Sequence, residues 1–145
     1  MFKHILVATD GSQLSEKAAL SAVQLAKSMS ARLTAVTASI PFHIFATDAV
    51  MITDTEEIYK LQCKSQAEKY LGFIKTAAES SGVSFEGIHV FNDHPYAAII
   101  ETAHNKGCDV ICMASHGRRG VAALVLGSET MKVITHSKTP VLVWR

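Results

Sequence analysis

Two short segments of this 145-residue chain combine glycine with polar side chains in a way that suits a phosphate group. Residues 8–12 read Ala-Thr-Asp-Gly-Ser, and residues 114–117 read Ala-Ser-His-Gly, followed after nine residues by Gly127 and Ser128. Phosphate oxygens need several backbone N–H groups directed at one point, and glycine removes the Cβ that obstructs their approach. A helix starting at Ser128 would add unpaired amides and a positive dipole end. An ordinary loop with a serine cap explains the same spacing, so both interpretations stay open.

The elements that must position these segments follow from apolar, β-branched runs that alternate with helical periods. Strands are predicted over Lys3 to Thr9, Arg32 to Ala38, Ser84 to Phe91, Asp109 to Ser115 and Pro140 to Trp144. The first, fourth and fifth runs are nearly continuously apolar, as expected of parallel strands covered on both faces, whereas the third alternates and suits a sheet edge. The sequence predicts one α/β domain over residues 1–145, an open five-stranded parallel sheet with helices on both faces.

Four helices are predicted between the strands. Ser12 caps the first, whose inward stripe comprises Leu14, Ala18, Ala22, Leu25 and Met29. Residues 53–56, Thr-Asp-Thr-Glu, have the spacing of a capping box and predict the start of the second, which ends at Ser81 before Gly82. Pro95 and Gly107 bracket the third, and Ser128 caps the fourth. The apolar segment Ser39 to Ile52 shows no clear period.

Composition excludes several classes of function. Fourteen basic residues against 13 acidic ones leave a formal charge of +1, and the largest basic cluster is Arg118-Arg119, so no nucleic-acid partner is predicted. The amino terminus lacks a signal peptide. The longest uncharged stretch, residues 33–47, falls short of the ~20 apolar residues that span a bilayer. We expect a cytoplasmic protein with no membrane insertion and three reduced cysteines.

Residues for metal binding or covalent catalysis are not recognisable. Cys108 directly precedes the predicted strand that contains Cys112, and an extended chain places the two roughly 13 Å apart, too far to share a metal ion. The histidines show no metal-binding spacing, so neither a metal site nor a catalytic residue is predicted. The patterns G-x-x-x-x-G-K-[ST] and G-x-G-x-x-G are also absent, which argues against a P-loop NTPase and a standard dinucleotide dehydrogenase.

The chain resembles the universal stress protein family along its whole length. The resemblance rests on residues 5–12 (ILVATDGS), on residues 114–117 with Gly127-Ser128, which follow the family pattern G-2x-G-9x-G-[S/T], and on residues 140–143 (PVLV). It implies a Rossmann-like sheet of strand order 3-2-1-4-5 and binding of ATP, or of ADP or AMP, with Mg²⁺ as a further candidate. It also implies a homodimer formed by the last strand, Val141 to Trp144, whose uncovered edge such pairing would protect.

The same resemblance implies the site residues. Ala8, Thr9 and Asp10 face the adenosine, with the Asp10 carboxylate near the ribose hydroxyls, and Ala38 lies against the adenine. The remaining positions line the nucleotide or hold its phosphates: Met113, Ala114, His116, Gly117, Gly127, Ser128, Glu129 and Thr130.

Two departures from the family pattern keep alternatives open. Ala114 stands in place of the first glycine, and the Glu129 carboxylate could repel a triphosphate unless it turns to solvent or shares a metal ion. One alternative is a nucleotide-free dimeric interaction module that binds a client through its dimer surface or through Ser39 to Ile52. Another is slow ATP hydrolysis or autophosphorylation through His116, Ser128 or a bound metal.

Overall fold

A computed structural model describes residues 1–43, 49–118 and 126–145, with the backbone only for residues 49–54. Within these ranges the strands and helices alternate along the chain, as the sequence predicts. The strands are β1 (His4–Ala8), β2 (Arg32–Ser39), β3 (Phe85–Phe91), β4 (Val110–Ala114) and β5 (Val141–Trp144). The helices are α1 (Gln13–Met29), α2 (Ala49–Ser80), α3 (Pro95–Lys106) and α4 (Ser128–His136).

The five strands form one sheet in the order β3-β2-β1-β4-β5, and every neighbouring pair is parallel. This confirms the predicted strand order and the placement of the third strand at an edge. Because all strands run the same way, their carboxyl ends meet at one edge of the sheet. β1 and β4 are direct neighbours in the centre, with Val7 opposite Cys112, so the two segments singled out in the sequence emerge side by side.

Helices cover both faces of the sheet, as predicted, and each face has its own apolar core. Successive residues of a strand point to opposite faces, so β1 contributes Ile5 and Val7 to one core and Leu6 and Ala8 to the other. The first core is closed by α1 and α2, which contribute residues such as Val23 and Ile74. The second is closed by α3 and α4, including Ile99, Ala103 and Val133.

The buried face of α1 is narrower than the predicted stripe. Ala18 and Ala22 are completely buried as expected, whereas Leu14, Leu25 and Met29 are only half-buried. Small side chains complete the face against the sheet, namely Ser15, Ala19, Val23 and Ala26. Alanine lets the helix backbone approach the sheet closely, which leaves the larger side chains at the margins of the contact.

The predicted start of α2 is wrong. The helix already begins at Ala49, so residues 53–56 lie inside it and do not form its first turn. Residues three apart face each other anywhere along a helix, so the spacing of a capping box does not by itself mark an end. Of the segment Ser39 to Ile52, residues 44–48 lie outside the described residues. The predicted end holds, because Gly82 has φ +72° and Val83 N donates to Ala78 O over 2.9 Å.

Glycines mark the end of α3 and the start of α4. α3 begins at Pro95 and ends before Gly107, which has φ +65°, as predicted. The predicted cap of α4 is wrong by one residue, because Gly127 is the N-cap and Ser128 is the first helical residue. The first hydrogen bond of α4 joins Met131 N to Gly127 O over 2.9 Å.

Candidate functional site

The carboxylate of Asp10 lies directly against Gly117, at the carboxyl ends of β1 and β4. A Cβ at Gly117 would lie 2.2 Å from Asp10 Oδ2, far inside the contact distance of real side chains. Glycine is therefore the residue that lets the loop after β4 pass over the turn after β1. The structure brings these two predicted site residues together.

Asp10 joins the two segments through its hydrogen bonds. Oδ1 accepts from Ser12 N over 3.0 Å, and Oδ2 accepts from Arg118 N over 2.9 Å. Burial by itself raises the pKa of Asp10, but hydrogen bonds from Ser12, Arg118 and Ser15 outweigh it and hold the pKa of this carboxyl below its ordinary value. Asp10 is therefore an anion near neutral pH. An ionised carboxylate with two oxygens has acceptor sites beyond these two amides.

The second glycine segment packs onto the first. Gly127 N donates to Ser115 O over 2.7 Å, and a Cβ at Gly127 would lie 3.2 Å from the Cα of His116. A larger residue would have to push the two backbones apart. Residues 115–117 and 127–128 are therefore neighbours in space. Two adjoining glycine segments can together line a binding site for one phosphate group.

The first turn of α4 follows Gly127 directly and contributes backbone N–H groups that are not used within the helix. No side chain among the described residues caps the helix at Gly127. Because the intrahelical bonds begin with Met131 N, the preceding amides, those of Ser128, Glu129 and Thr130, have no partner within the helix. The Ser128 side chain is exposed. Free amides at the positive end of a helix are suited to an anion, so these residues fit the phosphates of a nucleotide.

The side chains of Glu129 and Thr130 point away from those amides. Glu129 Oε2 accepts from Tyr96 N over 2.8 Å, in the first turn of α3, and its Oε1 lies 3.3 Å from Lys132 Nζ. The carboxylate is thus directed toward α3 and only partly toward solvent, and Lys132 offsets its charge. The buried Thr130 hydroxyl donates to Ala114 O over 2.9 Å, which fixes α4 to the end of β4.

Thr9 holds the turn between β1 and α1. Its side chain is buried, and its Oγ1 accepts from Gly11 N over 3.1 Å and lies 3.1 Å from Ser15 Oγ. Ser12, confirmed as the N-cap of α1, accepts from Ser15 N over 3.3 Å. Thr9 therefore positions the turn that carries Asp10, and its side chain lies below the surface.

The apolar positions predicted to face the adenosine or to line the nucleotide lie at the ends of three neighbouring strands. Ala8, Met113 and Ala114 are buried, and Ala38 is half-buried near the end of β2. His116 is half-buried, with Nδ1 3.1 Å from Ser115 Oγ. Slow hydrolysis or autophosphorylation through His116 or Ser128 stays a prediction.

The sequence prediction missed Tyr70, which lies on α2 and covers the turn after β1. A Cβ at Gly11, which has φ +75°, would fall inside the Tyr70 ring. The guanidinium of Arg118 lies 5.0 Å from the centre of that ring and donates to the Tyr70 hydroxyl. A signal was present, because Tyr70 lies three positions after Ala67 and four before Ile74, both buried, which is the spacing of one helix face.

The described residues outside this site, including the cysteines, provide neither a metal-binding group nor a membrane-spanning helix. Burial raises the pKa of Cys108 to about 11 and that of Cys112 to about 12. Residues 1–43, 55–118 and 126–145 contain no group of three His, Cys, Asp or Glu side chains that could hold a metal ion. Among the described helices, none is long and apolar enough to cross a membrane.

Comparisons with known proteins point to one family. The model of the universal stress protein family matches residues 1–145. The universal stress protein YxiE of Bacillus subtilis is 33% identical over 149 aligned residues, which cover all of both chains. The universal stress protein MJ0531 of Methanocaldococcus jannaschii is 30% identical, covering 99% of this chain and 82% of the relative.

A solved structure with a ligand is also similar. It is a universal stress protein in complex with cAMP, 27% identical, with a TM-score of 0.72, covering 99% of this chain and 97% of that one. This similarity extends over the whole sheet and its helices.

Proposed function

Because this chain belongs to the universal stress protein family, we propose that it is a stress-response protein that binds an adenine nucleotide. ATP is the proposed ligand, with ADP and AMP as the alternatives to be distinguished and Mg²⁺ as a candidate companion. The similar structure in complex with cAMP supports an adenine ligand. The site proposed is the one at the carboxyl ends of β1 and β4.

The observation that carries this proposal is the contact of the two glycine segments beside Asp10. Gly117 lies against the Asp10 carboxylate, Gly127 lies against the backbone of His116, and α4 begins directly after Gly127. A side chain larger than glycine would run into Asp10 at position 117 and into His116 at position 127. A nucleotide phosphate is an anion of suitable size for such a cradle.

Each part of the site has a proposed task. The amides of Ser128, Glu129 and Thr130 bind the phosphates, with Gly117 and Gly127 leaving room for them. The ionised Asp10 carboxylate accepts hydrogen bonds from the ribose hydroxyls. The adenine packs among the apolar residues at the strand ends, namely Ala8, Ala38, Met113 and Ala114. Thr9 and Thr130 position the turns, and His116 borders the nucleotide.

The test combines ligand identification with binding. Freshly purified protein is denatured and its supernatant is analysed for adenine nucleotides by mass spectrometry, and thermal unfolding is followed with ATP, ADP and AMP. A ligand at 100 times its Kd stabilises the fold by about 2.7 kcal/mol, roughly 5–10 °C for a domain of this size. Gly127→Val should abolish the shift, whereas Gly72→Ala, which adds a Cβ into open space, should keep it. No nucleotide and no shift would contradict the proposal.

The proposal includes a homodimer formed through β5 in the cytoplasm. β5 is an edge strand, and Pro140 O and Trp144 O already accept from β4. Alternate residues of a strand direct their backbone groups to opposite sides, so those of Val141 and Val143 face the open edge. A second copy of β5 would satisfy them. The three free cysteines fit a reducing compartment.

A further inference from the structure

Four residues form a continuous set of contacts over the carboxyl end of β1, which we call the Tyr70 latch: Asp10, Gly11, Tyr70 and Arg118. Asp10 accepts from the Arg118 backbone amide over 2.9 Å. The Arg118 side chain then reaches Tyr70 on α2, and the Tyr70 ring rests on the Cα of Gly11. The latch therefore ties the loop after β4 to α2 across the turn that carries Asp10.

Tyr70 determines where the positive charge of Arg118 lies. The guanidinium lies 5.0 Å from the ring centre and donates a hydrogen bond to the phenol oxygen. Both contacts stabilise the guanidinium in this position. The ring quadrupole attracts its positive charge, and its hydrogen bond to the phenol oxygen is charge-assisted. Arg118 directly follows Gly117, so its backbone lies at the phosphate end of the proposed site. Its guanidinium, by contrast, is held at Tyr70 on α2.

We propose that Tyr70 is a specificity-determining residue of the nucleotide site, because it holds Arg118 on α2 and thereby limits the affinity for nucleotides with a long phosphate chain. This inference rests on the proposed function. A guanidinium binds phosphate oxygens through two parallel hydrogen bonds, so its release would favour ATP over ligands with fewer phosphates. Adenosine has no phosphate and gains nothing from the release.

The surrounding charges explain why Arg118 matters for a polyphosphate. The Asp10 carboxylate is ionised beside Gly117, and Glu129 lies in the first turn of α4. The Asp10 carboxylate repels a chain of phosphates, whereas the Glu129 carboxylate is turned toward α3 and paired with Lys132. Lys132 is paired with Glu129, and it lies 5.5 Å from the centre of the Tyr96 ring, so it is directed toward α3. When its contacts to Tyr70 break, the Arg118 guanidinium becomes available to the phosphates.

Tyr70→Phe tests this inference because it removes the hydroxyl and keeps the ring on Gly11. Binding of ATP, AMP and adenosine is measured by isothermal titration calorimetry. Because the lost hydrogen bond is solvent-exposed, we expect the affinity for ATP to be about three- to tenfold tighter than in the wild type. The affinity for adenosine should not change. Tyr59→Phe is the matched control, since Tyr59 lies on the same helix and donates to Ile40 O over 2.6 Å.

A double-mutant cycle assigns the effect to Arg118. Arg118→Ala should weaken ATP binding more in the Tyr70→Phe background than in the wild type, so that the double variant loses the gain. An unchanged ratio of ATP to adenosine affinity in Tyr70→Phe, or a gain that persists without Arg118, would overturn the inference while leaving nucleotide binding intact. If neither ligand binds the wild-type protein, the proposed function itself fails.

Discussion

The backbone amide of Arg118 donates a 2.9 Å hydrogen bond to Oδ2 of Asp10, across 108 positions of the sequence. This bond joins the loop after β4 to the turn after β1, which are the two halves of the candidate site. Gly117 makes the approach possible, since it lies against the same oxygen. The geometry of the site therefore depends on one ionised carboxylate.

Replacing Asp10 by Asn should destabilise the protein at neutral pH. Asp10 accepts hydrogen bonds from two backbone N–H groups, one with each oxygen. Asn has an NH2 group in place of one oxygen, so at least one of these hydrogen bonds is lost. Loss of one of these hydrogen bonds to a charged group, of which one is part-buried and the other exposed, costs about 1–2 kcal/mol. The free energy of unfolding in urea at about pH 7 measures this loss directly.

The same pair of proteins should show a defined pH dependence. The pKa of Asp10 in the folded state lies below its ordinary value of 3.8, so the carboxylate contributes stability above that value, and the contribution is lost as the pH falls through the folded pKa. Wild type and Asp10→Asn should thus converge in stability as the pH falls below 3.8. A gap that stays constant over this range would contradict the role assigned to the carboxylate.

Gly117→Ala should displace the Asp10 carboxylate and destabilise the fold. Its Cβ would lie 2.2 Å from Asp10 Oδ2, whose position is held by amides on both sides. We expect a loss of about 1–3 kcal/mol, together with weaker nucleotide binding. The control is Gly72→Ala, inside α2, where the added Cβ would meet no atom within 4 Å and which should gain up to about 1 kcal/mol from helix propensity. Equal behaviour of the two variants would be inconsistent with a close contact at Gly117.

Glu129→Ala should destabilise the contact between α3 and α4. Glu129 supplies an acceptor to the first turn of α3 through Tyr96 N and also pairs with Lys132. Loss of an acceptor at a helix N-terminus costs about 1 kcal/mol. Glu68→Ala removes an exposed glutamate from α2 and should have little effect in the same urea titration. A Glu129 variant as stable as the Glu68 variant would show that this cap contributes nothing.

Much of the fold follows from patterns that are local in the sequence. β1 and β4 are buried on both faces, and such strands need nearly uninterrupted apolar residues, which their sequences show. Gly82 and Gly107 end their helices with positive φ as predicted. The start of α2 was predicted wrongly from the capping-box spacing at residues 53–56, because the same i, i+3 spacing also occurs inside a helix.

The details of the site are less predictable because they depend on side-chain contacts between distant residues. Tyr70 and Arg118 are 48 positions apart, and Glu129 and Tyr96 are 33 apart. No local period encodes such a pair. The glycine spacing indicated an anion site at Gly117 and Gly127, but the orientation of Glu129 toward α3 required the packed helices.

The thiols should differ in reactivity. Burial raises the pKa of Cys108 to about 11 and that of Cys112 to about 12, so both are protonated at about pH 8, whereas the half-buried Cys63 is more accessible. A thiol reagent should modify Cys63 in the native protein and all three cysteines in urea, as read by mass spectrometry. Rapid native modification of Cys108 or Cys112 would show that the strands open.

Val143→Pro should break a dimer formed through β5. Proline removes the outward N–H of Val143, which a second β5 strand would use, whereas Val143→Ala keeps it. Molar mass from light scattering should fall from that of a dimer to that of a monomer only in the proline variant. A proline variant that remains dimeric would place the interface elsewhere.

The most direct measurement of the central claim is a titration of isotope-labelled protein with ATP and AMP, followed through its backbone amide resonances. The account predicts that the resonances of Gly117, Ser128 and Glu129 shift together and saturate, with smaller changes at the opposite edge of the sheet. Unchanged resonances at these three residues under millimolar nucleotide, or saturable shifts confined to another surface, would contradict it.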